Sequence, residues 1–174
     1  LSILYGRDDD IPGYVDMGTA DLGIVGRNLV YEEGVDGQEL VALGFGYCSL
    51  VVAVMRDSPY QSIEDVKCVK LATSYPNSAR RFFAEMGANP EIITLSGSVE
   101  MAPGLGLAEG IVELTATGST LILNDLRQLG TILEAGNATM TVAGHEHVVW
   151  DEDIALPGGA SIRQVLVGCA SGVY

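Results

Sequence analysis

Short apolar runs rich in Val, Ile and Leu, closed by glycine, proline or hydroxyl residues, recur along the chain. Leu1-Ser2-Ile3-Leu4 is the first, and Ala20-Asp21-Leu22-Gly23-Ile24-Val25-Gly26 is the second. Residues 40–43, 48–54, 68–73, 92–95 and 111–114 continue the series. Branched aliphatic side chains suit strands, and runs this brief fall short of an ordinary helix. Helix signals stand between several of them. Asp8-Asp9-Asp10 precedes Ile11-Pro12, Ser62 opens a capped turn, and residues 79–86 end at Gly87. Such alternation predicts an α/β protein with a parallel sheet and short crossover helices. The run 48–54 is apolar on both faces, as central strands are. The 22 glycines, with aromatics at only 6%, fit many tight strand–helix junctions.

Charge narrows the function. A net charge of −14 argues against nucleic acid and anionic membrane surfaces as partners, because either calls for a basic stripe. No apolar run is long enough to span a bilayer. A phosphorylated small molecule stays compatible, since backbone dipoles, a few arginines and a metal ion can serve a local anion. Cys48, Cys68 and Cys169 are odd in number and widely spaced, which predicts reduced, buried thiols in a cytoplasmic protein.

The stretch from Glu109 to Asn124 carries the most chemistry. Ile111, Val112 and Leu114 end a buried strand, and Thr115-Ala116-Thr117-Gly118-Ser119-Thr120 then crowds hydroxyl groups around one glycine. A helix over 121–129 is expected to follow. A strand entering a helix through such a turn can cradle a phosphate, with N–H groups, hydroxyls and the helix dipole converging on the anion. Glu109 and Glu113 would suit ribose hydroxyls or a magnesium ion beside it. The plain alternative is a capped helix after a strand, because Ser and Thr are common N-caps.

Elsewhere the signals are weaker. Asp8, Asp9 and Asp10 read as acidic residues at a helix start. Arg7 closes a strand beside a helix entry, where open α/β sheets place ligands. Asp21 is either a turn former or a polar group facing a cleft. Residues 99–110, broken by Pro103 and Gly104, predict a short or irregular helix. Residues 131–135 and 138–143 predict paired or consecutive strands. His145-Glu146-His147 would put both imidazoles on one face of a strand, but no third ligand is suitably spaced for a metal motif.

Taken together, the segments resemble the ATP phosphoribosyltransferase family, which opens histidine biosynthesis. Arg7-Asp8-Asp9-Asp10-Ile11-Pro12-Gly13, Ala20-Asp21-Leu22-Gly23-Ile24-Val25-Gly26 and Leu71-Ala72-Thr73-Ser74-Tyr75-Pro76 carry the likeness first. Gly97-Ser98-Val99-Glu100-Met101-Ala102-Pro103, Gly106-Leu107-Ala108-Glu109 and 111–121 complete the ordered set. The resemblance implies a two-lobed α/β catalytic unit like the type II periplasmic binding proteins, with its site in the cleft. Residues 48–136 would form one lobe, and 1–47 with 137–174 the other.

What the resemblance further implies is displacement of pyrophosphate from phosphoribosyl pyrophosphate by N1 of the ATP adenine, with Mg2+. Thr115, Ala116, Thr117, Gly118, Ser119 and Thr120 would hold the sugar 5-phosphate. Glu113 and Glu109 would face the ribose hydroxyls and the metal-bound diphosphate, and Arg7, Asp21 and Glu100 would be cleft residues. A homo-oligomer, with a separate regulatory subunit, would also fit. Family members often have Asp at the two Glu positions, and they carry a strand, a basic loop and a helix ahead of the first segment seen here. The expectation is therefore an incomplete catalytic unit of weak or absent activity. The rival expectations are a non-catalytic two-lobed module that binds a small anion, and an inactive homologue kept for assembly.

Overall fold

A computed structural model describes residues 2–35, 38–134, 138–142 and 164–169. The chain divides into two compact units, Leu1–Tyr47 with Gly136–Tyr174, and Cys48–Ala135. Each is built on a five-stranded sheet.

In the first unit β1 (Ser2–Arg7) leads through a 3-10 turn at Asp8–Asp10 into α1 (Ile11–Asp16). The acidic run sits where the helix dipole favours negative charge, and the early proline of α1 where its missing N–H costs no helical bond. Next come β2 (Leu22–Gly26), α2 (Arg27–Glu33) and β3 (Gln38–Ala42). Helix α2, which the sequence did not announce, ends at Gly34 in the left-handed conformation.

The second unit holds β4 (Ser49–Met55), a 3-10 turn Ile63–Val66, β5 (Lys70–Thr73), α3 (Pro76–Glu85) and β6 (Glu91–Thr94). A 3-10 turn Val99–Met101, β7 (Gly110–Thr115), α4 (Ser119–Leu123) and β8 (Leu126–Glu134) follow. Strands β9 (Ala138–Val142) and β10 (Gln164–Cys169) return to the first sheet, whose order is β1-β10-β2-β9-β3. The second sheet runs β6-β5-β7-β4-β8.

Neither sheet is purely parallel, contrary to the expectation from the alternation. Strand β4 lies antiparallel to both β7 and β8, and β9 lies antiparallel to β2 and β3. The stretches read as neighbouring strands at 131–135 and 138–143 are consecutive but unpaired. The first belongs to β8 beside β4, and the second is β9 between β2 and β3. The irregular helix foreseen over 99–110 is a single 3-10 turn at Val99–Met101 followed by further turns.

The core explains why 48–54 is apolar throughout. Leu50 to Val54 are fully buried, with Val51 and Ala53 on one face and Leu50, Val52 and Val54 on the other. The first face packs on Val99, Ala102, Ile111 and Leu121, and the second on Val66, Ala79 and Phe83. Burying a side chain of Leu or Phe size stabilises by roughly 1.5–3 kcal/mol, so β4 anchors this unit from both sides. Helix α3 starts at Pro76, three residues before the start expected at 79, because proline fits the first helical turn. Cys48 is half-buried and Cys68 exposed, so neither is the fully buried thiol expected.

Candidate active site

Strands β6, β5 and β7 are parallel, with Thr94 level with Thr73 and Thr73 level with Val112. Their carboxyl ends therefore gather on one edge, where open α/β sheets bind ligands. Three connections meet there: Ser74-Tyr75 after β5, Ser96-Gly97-Ser98 after β6, and Ala116-Thr117-Gly118 after β7. Ser74 ties the first two, its hydroxyl donating to the Leu95 carbonyl at 2.8 Å.

The turn after β7 is open rather than sealed. Ala116, Thr117, Ser119 and Thr120 are exposed, while Thr115 and Gly118 are half-buried. Gly118 stands at φ 75°, a left-handed conformation that glycine adopts at little cost. The Gly118 N–H donates to Thr115 Oγ1 at 2.8 Å, and Thr117 Oγ1 lies 2.8 Å from Ser119 Oγ. The Ser119 N–H makes only a long contact of 3.4 Å with Thr117 Oγ1. The N–H groups of Thr120 and Leu121, in the first turn of α4, have no carbonyl to meet within the helix. Hydroxyls and first-turn amides are thus presented at one exposed point.

Helix α4 is shorter than the 121–129 expected. Asn124 stops it, its side-chain amide donating to the Thr120 carbonyl at 2.9 Å, and Asp125 turns left-handed at φ 54°. Arg56 holds that corner: its N–H donates to the Asp125 carbonyl at 2.9 Å, and its Nε reaches Oδ1 at 3.0 Å. From Leu126 the chain pairs with β4 instead.

Glu113 lies two residues before the turn on the face of β7 that also carries Ile111. Burial pushes its carboxyl up to about 7; the Leu114 N–H, donating to Oε1 at 2.9 Å, opposes this, and the Glu100 charge adds to it. Glu100 comes from Val99–Met101, where buried Val99 anchors the turn and Ser98 enters left-handed at φ 51°. The fold therefore brings Glu113, Glu100 and the hydroxyl turn together.

Glu109 is placed elsewhere. It precedes β7, six residues before Thr115, and six strand steps span about 20 Å. Its Oε2 accepts the Lys70 N–H at 2.8 Å, and its own N–H donates to the Lys70 carbonyl at 2.9 Å. This carboxylate is bonded to the start of β5, at the opposite edge of the sheet from the turn, and cannot share a metal ion with Glu113.

Arg7 and Asp21 belong to the first unit, and its register separates them. Ile3 is level with Val165, and Val165 with Leu22, so Arg7 stands at one end of the sheet and Asp21 at the other. Arg7 is exposed, 3.8 Å from the Asp9 carboxylate. Asp21 is half-buried and has a partner in the fold. At the Arg7 end the sequence reading missed Asn28, which is 6% exposed at the start of α2. Its signal was the strand Leu22–Gly26 closing directly into a helix. The sequence likewise assigns no role to the loop Ser74-Tyr75, which follows β5 at the same sheet edge as the turn. His145 and His147 lie outside the described residues. Among the described residues no group of three or more His, Cys, Asp or Glu side chains is arranged to hold a metal ion, and no helix is long and apolar enough to cross a membrane.

A family described as HisG: ATP phosphoribosyltransferase matches residues 7–153. An ATP phosphoribosyltransferase of Methanosarcina acetivorans is 40% identical over 135 residues, covering 78% of this chain and 47% of that protein. The chain spans about half the length of several curated relatives it matches. Among solved structures, the ATP phosphoribosyl transferase (HisG:HisZ) complex from Thermotoga maritima superimposes with a TM-score of 0.70 at 30% identity, over 79% of this chain and 66% of that one. A substrate-binding protein of an amino acid ABC transporter reaches 0.57 at 20% identity, over 83% of this chain and 66% of that one, a likeness of fold alone. The chain belongs to the ATP phosphoribosyltransferase family.

Proposed function

We propose that this chain is the catalytic part of an ATP phosphoribosyltransferase, transferring the phosphoribosyl group of phosphoribosyl pyrophosphate to N1 of the ATP adenine. The observation that carries the reading is the exposed turn from Ala116 to Thr120 with Glu113 two residues upstream of Thr115, in a chain of this family. Thr117, Ser119 and Thr120 supply hydroxyls to the sugar 5-phosphate, and Ala116 and Gly118 shape the turn that presents them. Fixing the far end of the sugar leaves the anomeric carbon oriented for in-line attack, which lowers the barrier through positioning.

Glu113 faces the ribose hydroxyls. Its carboxyl, held near 7 by burial and by Glu100, accepts hydrogen bonds once ionised and favours positive charge developing at the anomeric carbon. The residues fit a magnesium ion in part. Glu113 and Glu100 offer hard oxygen donors whose mutual repulsion a cation relieves, and one or two carboxylates with phosphate oxygens and water suffice for this metal. Glu109 does not fit, because its carboxylate is bonded to Lys70. When bound, the ion supplies charge neutralisation of the departing diphosphate.

The protein would act in the cytoplasm as a homo-oligomer. The named HisG:HisZ complex of the Thermotoga maritima neighbour supports assembly with a regulatory partner chain. Titration calorimetry tests the core reading. Phosphoribosyl pyrophosphate should bind at least about tenfold tighter with magnesium than without, and Thr117→Ala with Gly118→Val should abolish the heat. Tight binding of an amino acid without metal, with no response to phosphoribosyl pyrophosphate, would instead mark a solute-binding module.

A further inference from the structure

The hydroxyl of Thr115 points inward to the turn itself. Thr115 ends β7, and its Oγ1 accepts the Gly118 N–H at 2.8 Å across three residues. Gly118 stands at φ 75°, and a Cβ built on it would meet nothing within 4 Å, so the space on that side of the turn is open. Glycine samples several backbone wells with similar ease, so hydrogen bonds keep the turn in one of them: Thr115 Oγ1 accepts the Gly118 N–H, and the Gly118 carbonyl accepts the Ile122 N–H at 3.1 Å. Helix α4, at five residues, is also too short to stabilise itself. Its middle is anchored by Leu121 in the core, its end by the Asn124 bond to Thr120, and the N–H of the preceding glycine by Thr115.

We propose that Thr115 is a positioning residue: its hydroxyl tethers the Gly118 amide and thereby fixes the direction in which Thr117, Ser119 and Thr120 present their hydroxyls to a sugar phosphate. This rests on the reading of the turn as the sugar-phosphate seat. It also separates two roles that the resemblance had merged, because Thr115 holds the seat while Thr117, Ser119 and Thr120 meet the ligand. Valine matches threonine in shape and keeps the strand preference but accepts no hydrogen bond, whereas serine keeps the acceptor.

The test uses the whole 174-residue chain, ribose 5-phosphate as probe, calorimetry for affinity and amide exchange by NMR. Thr115→Val should weaken binding about five- to tenfold, the effect of one ordinary hydrogen bond, and Thr115→Ser should restore it to within about twofold. The Gly118 amide should exchange slowly in the unmutated chain and in Thr115→Ser, and at least about tenfold faster in Thr115→Val. Equal or tighter binding by Thr115→Val overturns the proposal, since the freed Gly118 amide would then itself serve the ligand. If Thr115→Val does not fold, fast exchange of Gly118 in the unmutated chain overturns it, while slow exchange with normal binding by Thr115→Ser supports it. Absence of ribose 5-phosphate binding by a folded unmutated chain, with Gly118 protected, removes the seat rather than the tether, and the proposal falls with it.

Discussion

Glu113 shows how one residue links burial to chemistry. Its carboxyl is raised from 4.5 to about 7, so between these values the folded chain holds a proton that the unfolded chain has released. Stability therefore falls as pH rises through that window, and the loss is complete above about pH 7. Glu113→Gln keeps an acceptor for the Leu114 N–H and removes the charge. At pH 8 the variant should be more stable than the unmutated chain by on the order of 2–3 kcal/mol, and at pH 4 the two should be nearly equal. Urea unfolding at the two pH values checks this, and an equal gap at both would contradict the raised carboxyl. The residue was legible as an acid beside a hydroxyl-rich turn. Its separation from Glu109 was not, because four residues of sequence hide a bond from Glu109 to Lys70 that only strand pairing creates.

At the scale of elements, local chemistry located most strands and the acidic start of α1, while pairing decided the rest. The pattern over 121–129 reads as helix, yet the corner at Asp125, held by Arg56, sends Leu126 onward into β8. Nothing in the composition of 48–54 states its direction, so the antiparallel setting of β4 was invisible. Its neighbour β7 depends on a glycine. A Cβ on Gly110 would come within 2.8 Å of the Ala53 carbonyl, 2.9 Å of Val54 and 3.1 Å of Leu71. Gly110→Ala should therefore push β7 away from β4 and β5 and destabilise the chain by about 1–3 kcal/mol, measured as a shift in the urea midpoint. An unchanged midpoint would mean that the strands yield at no cost.

On the scale of the whole molecule, both hydrophobic clusters described for Cys48–Ala135 draw every member from within that unit. A fragment of 48–135 should accordingly fold alone, with dispersed amide resonances and a cooperative thermal transition; a collapsed spectrum would show that it borrows stability from the rest. The way this unit is threaded adds something more. Ser49, where the chain enters it, is paired with Glu134, where the chain leaves, and the Ser49 hydroxyl donates to the Glu134 carboxylate at 2.8 Å. Entry and exit are side by side, so the unit is a cassette spliced into its host. Its ends can be joined by a short linker and new ones opened at the exposed Gly104-Leu105-Gly106, giving a circular permutant in which every strand keeps its neighbours.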